Sequence, residues 1–353
     1  MQFGLYGTNA HVTVGAAEIA EAIQESRGPL PEGARDKQFE FSLSVLEEAD
    51  RIGFNIILFA ERHLGPDLTT WAVAGAIGSR LQQIRSMVAV HPGLWHPALI
   101  AKLAMTLDRI CRGGMAVNIV TGANEAEFQM FGGTAMLKDD DRYIRATEFI
   151  DIMRGLWTHD NFTLEGKFYQ VRGTELRLKP RNEMPPEIFT AARSDRGRQM
   201  IAETGDWWFL DYPKSVQSTE EMLRSLEDSI ADMRRRMAQT GRNVRFAFNP
   251  FVHFGRDRQS AFDDAVHRIT AYDKEPDSAK VRVRMLPAAM GGCIGTPEDV
   301  RKQIARFADM GIELILFKMA SGIEDVRRIG TEIVEPLGVP NALHPRARKP
   351  VPA

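Results

Sequence analysis

Cysteine is nearly absent: only Cys111 and Cys293 occur in 353 residues. Two thiols cannot build a disulfide framework, and they are too few for a cysteine-held structural zinc site. Long apolar runs are missing as well. The stretch starting at Leu99 is cut by Lys102 and Asp108, so nothing approaches the roughly 18 to 20 uncharged residues that span a bilayer. The opening MQFGLYG has no basic segment followed by an apolar one, and a cytoplasmic protein is the expectation. Neither sign of charge dominates. The 45 Lys and Arg stand against 47 Asp and Glu, a formal charge of -2, which leaves no bulk attraction to nucleic acid or to a membrane surface. Gly-x-Gly-x-x-Gly, Gly-x-x-x-x-Gly-Lys-Ser/Thr, Gly-x-Ser-x-Gly and His-Glu-x-x-His are all absent. A Rossmann or P-loop phosphate site, a nucleophile-elbow hydrolase and a zincin are therefore not expected, nor is any metal site.

What remains is an ordinary globular composition, 44% hydrophobic and 26% charged, arranged as short apolar runs alternating with amphipathic helices. Eight runs read as strands: Gln2–Tyr6, Asn55–Phe59, Ile84–Val90, Ala116–Val120, Glu187–Thr190, Asp206–Leu210, Val244–Phe254 and Glu313–Phe317. Helical periodicity falls between most of them, as at Gln38–Ile52, Pro97–Cys111, Thr219–Thr240 and Gly322–Ile333. Thr296 with Pro297 behind it marks a further helix start. Phe162–Val171 reads as a hairpin turning at Glu165-Gly166. Strands that are near-continuously apolar belong to a parallel sheet buried on both faces. Eight βα units without a linker predict an α/β protein with the (β/α)8 barrel fold, the rival being a doubly wound open sheet. Residues 1–340 read as one domain and 341–353 as a flexible tail.

In such a barrel, chemistry sits on the loops after the strand C-termini. Those loops carry Ala60-Glu61-Arg62-His63, then His91 to His96 with Trp95, then Asn118 and Glu127, and after the fifth strand Arg193-Ser194-Asp195-Arg196. Ser194 would cap the helix that starts there and leave N–H groups pointing outward. Arg193, Arg196, Arg142 and Tyr143 converge on the same corner, which suits a phosphate dianion. The same arginines would equally be solvated, or pair with Asp139–Asp141 and Asp195. His63, His91 and His96 are candidates for proton transfer, because histidine alone titrates unperturbed near neutrality. Trp95 and Trp208 would wall a planar ligand or substrate, or belong to the core.

Together these segments resemble the bacterial luciferase-like flavin monooxygenases, most closely the branch of dimethyl sulfone, alkanesulfonate and pyrimidine monooxygenases. The likeness runs from about Phe39 to Leu337. It is carried by Leu103–Arg112 leading into Val117–Gly122, by Glu127, Asp141-Arg142-Tyr143, Phe149 and Phe162–Tyr169, and by Pro186–Ser194 and Ile294–Glu298. It departs at Gly113-Gly114-Met115, where the family usually has Gly-Gly-Arg, and at Gly65, where alkanesulfonate monooxygenases carry a cysteine. The resemblance implies a luciferase-like barrel binding FMN noncovalently. Asn118 and Glu127 would lie near the ring and ribityl chain, Arg142, Tyr143 and Ser194 at the phosphate, and Ala60 and Glu61 along the ring. It further implies a two-component enzyme: an NAD(P)H-dependent flavin reductase supplies reduced FMN, O2 is the co-substrate, and a small organosulfur compound is oxygenated and cleaved. A homodimer or homotetramer is the family's habit. The alternatives are the same chemistry on a nitrogen heterocycle or other carbon skeleton, a deazaflavin-dependent oxidoreductase, and a silent flavin-binding protein. In relatives an insertion before the last barrel unit closes over the substrate. Here it reads as short, about Asp273–Gly292, and brings Arg282 and Arg284 as candidates for meeting an anionic substrate.

Overall fold

In order along the chain, the apolar runs and amphipathic segments form β1 (Gln2–Gly7), α1 (Lys37–Ile52), β2 (Ile56–Phe59), α2 (Thr70–Gly78), β3 (Arg85–Val90), α3 (Pro97–Ile110) and β4 (Met115–Ile119). Then come α4 (Glu125–Phe131), α5 (Asp141–Thr158), the hairpin β5 (Phe162–Glu165) and β6 (Gln170–Thr174), β7 (Glu187–Thr190), α6 (Asp195–Thr204), β8 (Trp207–Leu210) and α7 (Thr219–Thr240). The last third contains β9 (Arg245–Phe248), β10 (His253–Phe254), α8 (Arg258–Asp273), α9 (Ser278–Met290), β11 (Ile294–Gly295), α10 (Pro297–Asp309), β12 (Ile312–Lys318) and α11 (Ile323–Ile329). This computed structural model describes the chain except residues 8–31, 34–35, 65–67, 113, 123–124, 132–135, 138–139, 182–183, 214–215, 217, 274–277, 319–321 and 339–353. The side chains of 271–273, 278, 284, 287–288 and 290 are likewise not described. The segment 341–353 and Gly65 thus lie outside the described residues.

Eight strands close into a parallel barrel in the order β1-β2-β3-β4-β7-β8-β9-β12 and back to β1. The open-sheet alternative is excluded by the pairing of the first strand with the last, Gln2 opposite Leu314 through Tyr6 opposite Lys318. Because side chains alternate across a strand, each barrel strand sends one set inward and the other under the helices. Ile56, Leu58, Met87, Ala89, Phe189, Trp207, Phe209, Leu314 and Leu316 fill the interior. Phe189 and Trp207 stack there with ring centroids 5.1 Å apart. The opposite set, including Ile57, Val88, Val117, Ile188, Trp208 and Phe317, packs with the helices in a second, larger core.

Local chemistry sets the element boundaries. Asp36 accepts from the Phe39 N–H at 2.9 Å to start α1, and Gly53 ends it in the left-handed region at φ 101°, where a Cβ would be strained. Thr296 caps α10 in a reciprocal capping box with Asp299. The hairpin folds back onto α5 because Glu148 accepts the backbone N–H groups of Lys167, Phe168 and Tyr169 at 2.7–3.0 Å.

Two expectations are corrected, and one segment gains a helix. The run Val244–Phe254 is two strands, not one: Pro250 has no N–H for the ladder, and the chain leaves the barrel there to pair β10 with β11. The short insertion 273–292 carries α9, which shares a small core with α8 through Ala261, Val266, Val281 and Met285. The last helix is α-helical only to Ile329 and widens into a π turn over Gly330–Val334. No helix among the described residues is long and apolar enough to cross a membrane.

Candidate active site

At the C-terminal mouth of the barrel the inward positions run past the last hydrophobic layer. Tyr6 of β1, Ala60 after β2, His91 after β3 and Asn118 of β4 line a cavity of about 260 Å³, together with Glu61, Arg62 and Glu127. Asn118 is buried and its Oδ1 has no hydrogen-bond partner among the described residues. Such an atom costs free energy unless a ligand or water meets it.

Two carboxylates organise one wall. Glu61 is buried; its Oε2 accepts from Trp95 Nε1 at 3.0 Å and lies 3.5 Å from His63 Nε2. Glu127, on the short helix α4, accepts the backbone N–H of His63 at 2.9 Å. The His63 ring packs edge-on against Phe131 at 4.8 Å and lies 6.5 Å from the His91 ring. The two imidazoles sit in opposing fields. Burial opposes the charge on His63, but the hydrogen bond and charge of Glu61, with the charge of Glu127, outweigh it and raise its pKa above 6.5. For His91 burial wins over the same carboxylates and lowers the pKa below 6.5. His91 Nδ1 lies 3.3 Å from the Val120 carbonyl. A carbonyl only accepts, so the proton is on Nδ1 and the lone pair on Nε2. The two shifts run in opposite directions, as an acid and a base require.

A second polar corner forms around the start of α6. Ser194 Oγ accepts from the Gly197 N–H at 3.2 Å, the cap expected from the sequence, and donates to the Tyr143 hydroxyl at 2.7 Å. Arg142 donates to the same hydroxyl at 2.8 Å, and its Nε is buried without a partner among the described residues. Gly197 is needed for this approach: a Cβ there would lie 2.8 Å from the Tyr143 ring. Ser194→Ala should lower stability by about 1 kcal/mol through the lost cap and weaken anion binding by less than loss of Arg142 would. Thermal melts and a flavin titration on the same sample test this; destabilisation with unchanged flavin affinity would leave Ser194 as a cap alone.

Several expected residues lie elsewhere. Arg193 is bonded to Asp211 at 2.5–2.7 Å, away from the Ser194 hydroxyl, and Asp195 pairs with Arg236. His96 is exposed and serves as N-cap of α3, its Nδ1 accepting from the Ala98 N–H at 3.3 Å, with its ring against Tyr169 rather than with His63 and His91. Trp208 faces outward, its Nε1 donating to the Ala192 carbonyl at 3.2 Å. The strand period gives the inner position to Trp207 and Phe209, so Trp208 cannot wall the mouth. Arg282 pairs with Asp263 of α8 at 2.6 Å, and the Arg284 side chain is outside the described residues.

One residue escaped the sequence reading. Arg145, one turn after Arg142 on α5, is buried, its guanidinium 5.5 Å from the Phe128 ring centroid. The loop 91–96 lies on it: Gly93, at φ 102°, would place a Cβ 2.5 Å from the guanidinium. The i, i+3 spacing of Arg142 and Arg145 was the available signal.

A family model described as luciferase-like monooxygenase matches residues 22–314. An FMNH2-dependent dimethylsulfone monooxygenase of Pseudomonas fluorescens is 30% identical over 288 residues, covering 74% of this chain and 76% of the relative. Another, from Pseudomonas putida, is 27% identical over 325 residues, covering 84% and 87%. Among solved structures, the monooxygenase RslO1 of Streptomyces bottropensis superposes with a TM-score of 0.71 at 21% identity, over 96% of this chain and 100% of that one.

Proposed function

The chain belongs to the luciferase-like monooxygenase family and is a flavin-dependent enzyme, and from that premise we propose that it uses reduced FMN and O2 to oxygenate and cleave a small organosulfur compound. A separate NAD(P)H-dependent flavin reductase supplies the reduced flavin. The observation that carries the reading is the pairing of a phosphate-type corner, Arg142–Tyr143–Ser194, with a mouth whose buried Asn118 Oδ1 and Arg142 Nε have no partners among the described residues. Both features suit an FMN-shaped ligand. The curated relatives support the cofactor by their dependence on FMNH2.

In this reading Arg142, Tyr143 and Ser194 hold the phosphate, and Ala60, Glu61, Asn118 and Glu127 line the ring and ribityl chain. Bound reduced FMN supplies two electrons to O2, so that one oxygen atom enters the substrate and the other leaves as water. The protein's own work is positioning, dryness and proton control. Glu61 fixes Trp95 as a wall of the substrate side through the indole N–H. His63 Nε2 lies 3.5 Å from Glu61, whose charge favours its protonated form, while His91, engaged through Nδ1, keeps its lone pair on Nε2.

The test is an oxygen-electrode assay with a generic FMN reductase and a panel of sulfones, short alkanesulfonates and uracil-like rings, with sulfite and sulfinate measured. Substrate-dependent O2 uptake with sulfur release is expected. Turnover confined to the rings would move the enzyme to nitrogen heterocycles, and preference for a deazaflavin would remove the monooxygenase reading. A bell-shaped pH profile of kcat/KM is also expected. His91 is lost as a base when pH falls through its lowered pKa, giving the acid limb. His63 is lost as an acid when pH rises through its raised pKa, giving the alkaline limb. His91→Gln should remove the first limb and His63→Gln the second; a profile unchanged in both would exclude these histidines from proton transfer.

A further inference from the structure

A buried guanidinium without an acid beside it works against the fold, and Arg145 of α5 is such a group. Its side chain is buried, and its Nε has no hydrogen-bond partner among the described residues. Burial lowers its pKa, and the titratable group that opposes this is the Tyr169 phenol rather than a carboxylate. What Arg145 does have is two packing contacts. The Phe128 ring of α4 lies with its centroid 5.5 Å from Cζ. The second contact is the Gly93 backbone, where a Cβ would lie 2.5 Å from Cζ and Nη1 and 2.8 Å from Nη2. Near-equal distances to three atoms of one plane put Gly93 over the face of the guanidinium, not at its edge.

Both contacts lead to the two imidazoles of the mouth. Pro92 and Gly93 are the central residues of a turn closed by the Leu94 N–H donating to the His91 carbonyl at 3.1 Å. Gly93 has the positive φ, 102°, that the third position of a type II turn requires. This turn carries His91 at its start and Trp95 just beyond its end. On the other contact, α4 holds His63 twice, through Glu127 on its backbone N–H and through Phe131 against its ring. The His63 and His91 rings stand 6.5 Å apart. We infer that Arg145 is a positioning residue: its flat guanidinium spaces the turn that carries His91 from the helix that holds His63. Packing alone would not select arginine here, because an apolar side chain in place of an unpaired buried charge is often neutral or stabilising.

The inference rests on the proposed proton transfer only for its effect on turnover; the spacing itself is measurable without flavin. The full-length, flavin-free protein with labelled imidazole carbons is titrated by NMR, and the same variants are then assayed with FMN and a generic reductase. His63 and His91 face Glu61 after β2, Glu127 of α4 and each other. A looser spacing exposes both rings, so the raised pKa of His63 should fall and the lowered pKa of His91 should rise. In Arg145→Met the gap between them should narrow by about half, with a melting temperature equal to or above that of the parent. The bell of kcat/KM against pH should narrow in step, and its maximum should fall by about tenfold. Arg145→Lys, which keeps the charge without the plane, should narrow the gap by less. Gly93→Ala, which presses on the guanidinium from the turn, should shift the same two histidines and serves as the check if Arg145→Met folds poorly. Histidine pKa values unchanged in Arg145→Met and Gly93→Ala would overturn the assignment. So would a lowered melting temperature in Arg145→Met with both pKa values in place, since Arg145 would then be packing alone. A narrowed gap with undiminished turnover would uphold the spacing role and remove the histidines from proton transfer.

Discussion

Arg142→Ala should weaken FMN binding by roughly 1.5–3 kcal/mol, a Kd about ten to a hundred times larger, because a charge-assisted hydrogen bond to a phosphate is lost. The guanidinium meets no carboxylate among the described residues. It donates to the Tyr143 hydroxyl and lies 4.6 Å from that ring's centroid, which orients it without neutralising it. Arg142→Lys should recover only part of the loss, since an ammonium cannot offer the planar fork. Flavin fluorescence titration measures both. An unchanged Kd in Arg142→Ala would take Arg142 out of the phosphate site, and would leave the start of α6 as a cap without a ligand.

Trp207→Ala should cost about 3–5 kcal/mol of stability, the range for truncating a large buried aromatic. Its side chain is wholly buried, stacked on Phe189 at 5.1 Å and covered by the Arg245 guanidinium at 3.9 Å. Arg245 in turn lies 3.6 Å from Glu187, which pairs with the buried Arg85 at 2.5 Å, so the ring packs beside a charged cluster that closes the lower barrel. Trp207→Phe should cost less than about 1.5 kcal/mol. It keeps the stack and removes an indole N–H that is buried without a partner among the described residues. Urea denaturation followed by circular dichroism separates the two. A loss under about 1 kcal/mol for the alanine variant would mean that the interior is far less tightly filled than ordinary protein cores.

The elements were legible because their causes are local. Apolar runs of four to seven residues, a proline behind Thr296 and a serine before α6 specify strands and caps through neighbours a few residues away. Where local signals conflicted with a long-range demand, the reading slipped. Pro250 ends a ladder that the apolar run Val244–Phe254 alone would continue. The helix α4 was read as loop because its seven residues are too short for periodicity to speak, yet it brings Glu127 to the His63 backbone.

Side-chain partners were less legible still. Arg193, Arg282 and His96 have the residue types of a binding site, but each is engaged by a partner that sequence distance conceals: Asp211, Asp263 and the start of α3. Arg145 showed the reverse, a residue that reads as a solvated helix face and is buried under a glycine loop.

Composition and period were enough to set the class of this protein: eight parallel strands alternating with helices, a serine-capped helix start beside arginines, and a mouth rich in histidine and carboxylate. Those properties follow from interactions within one turn or one strand. Closure of the ring decided the rest. It turned Trp207 inward and Trp208 outward, set His63 and His91 in opposing fields, and carried Lys318 from the far end of the chain to the side of Tyr6. These are contacts between residues as much as three hundred positions apart, and only packing in three dimensions selects among them.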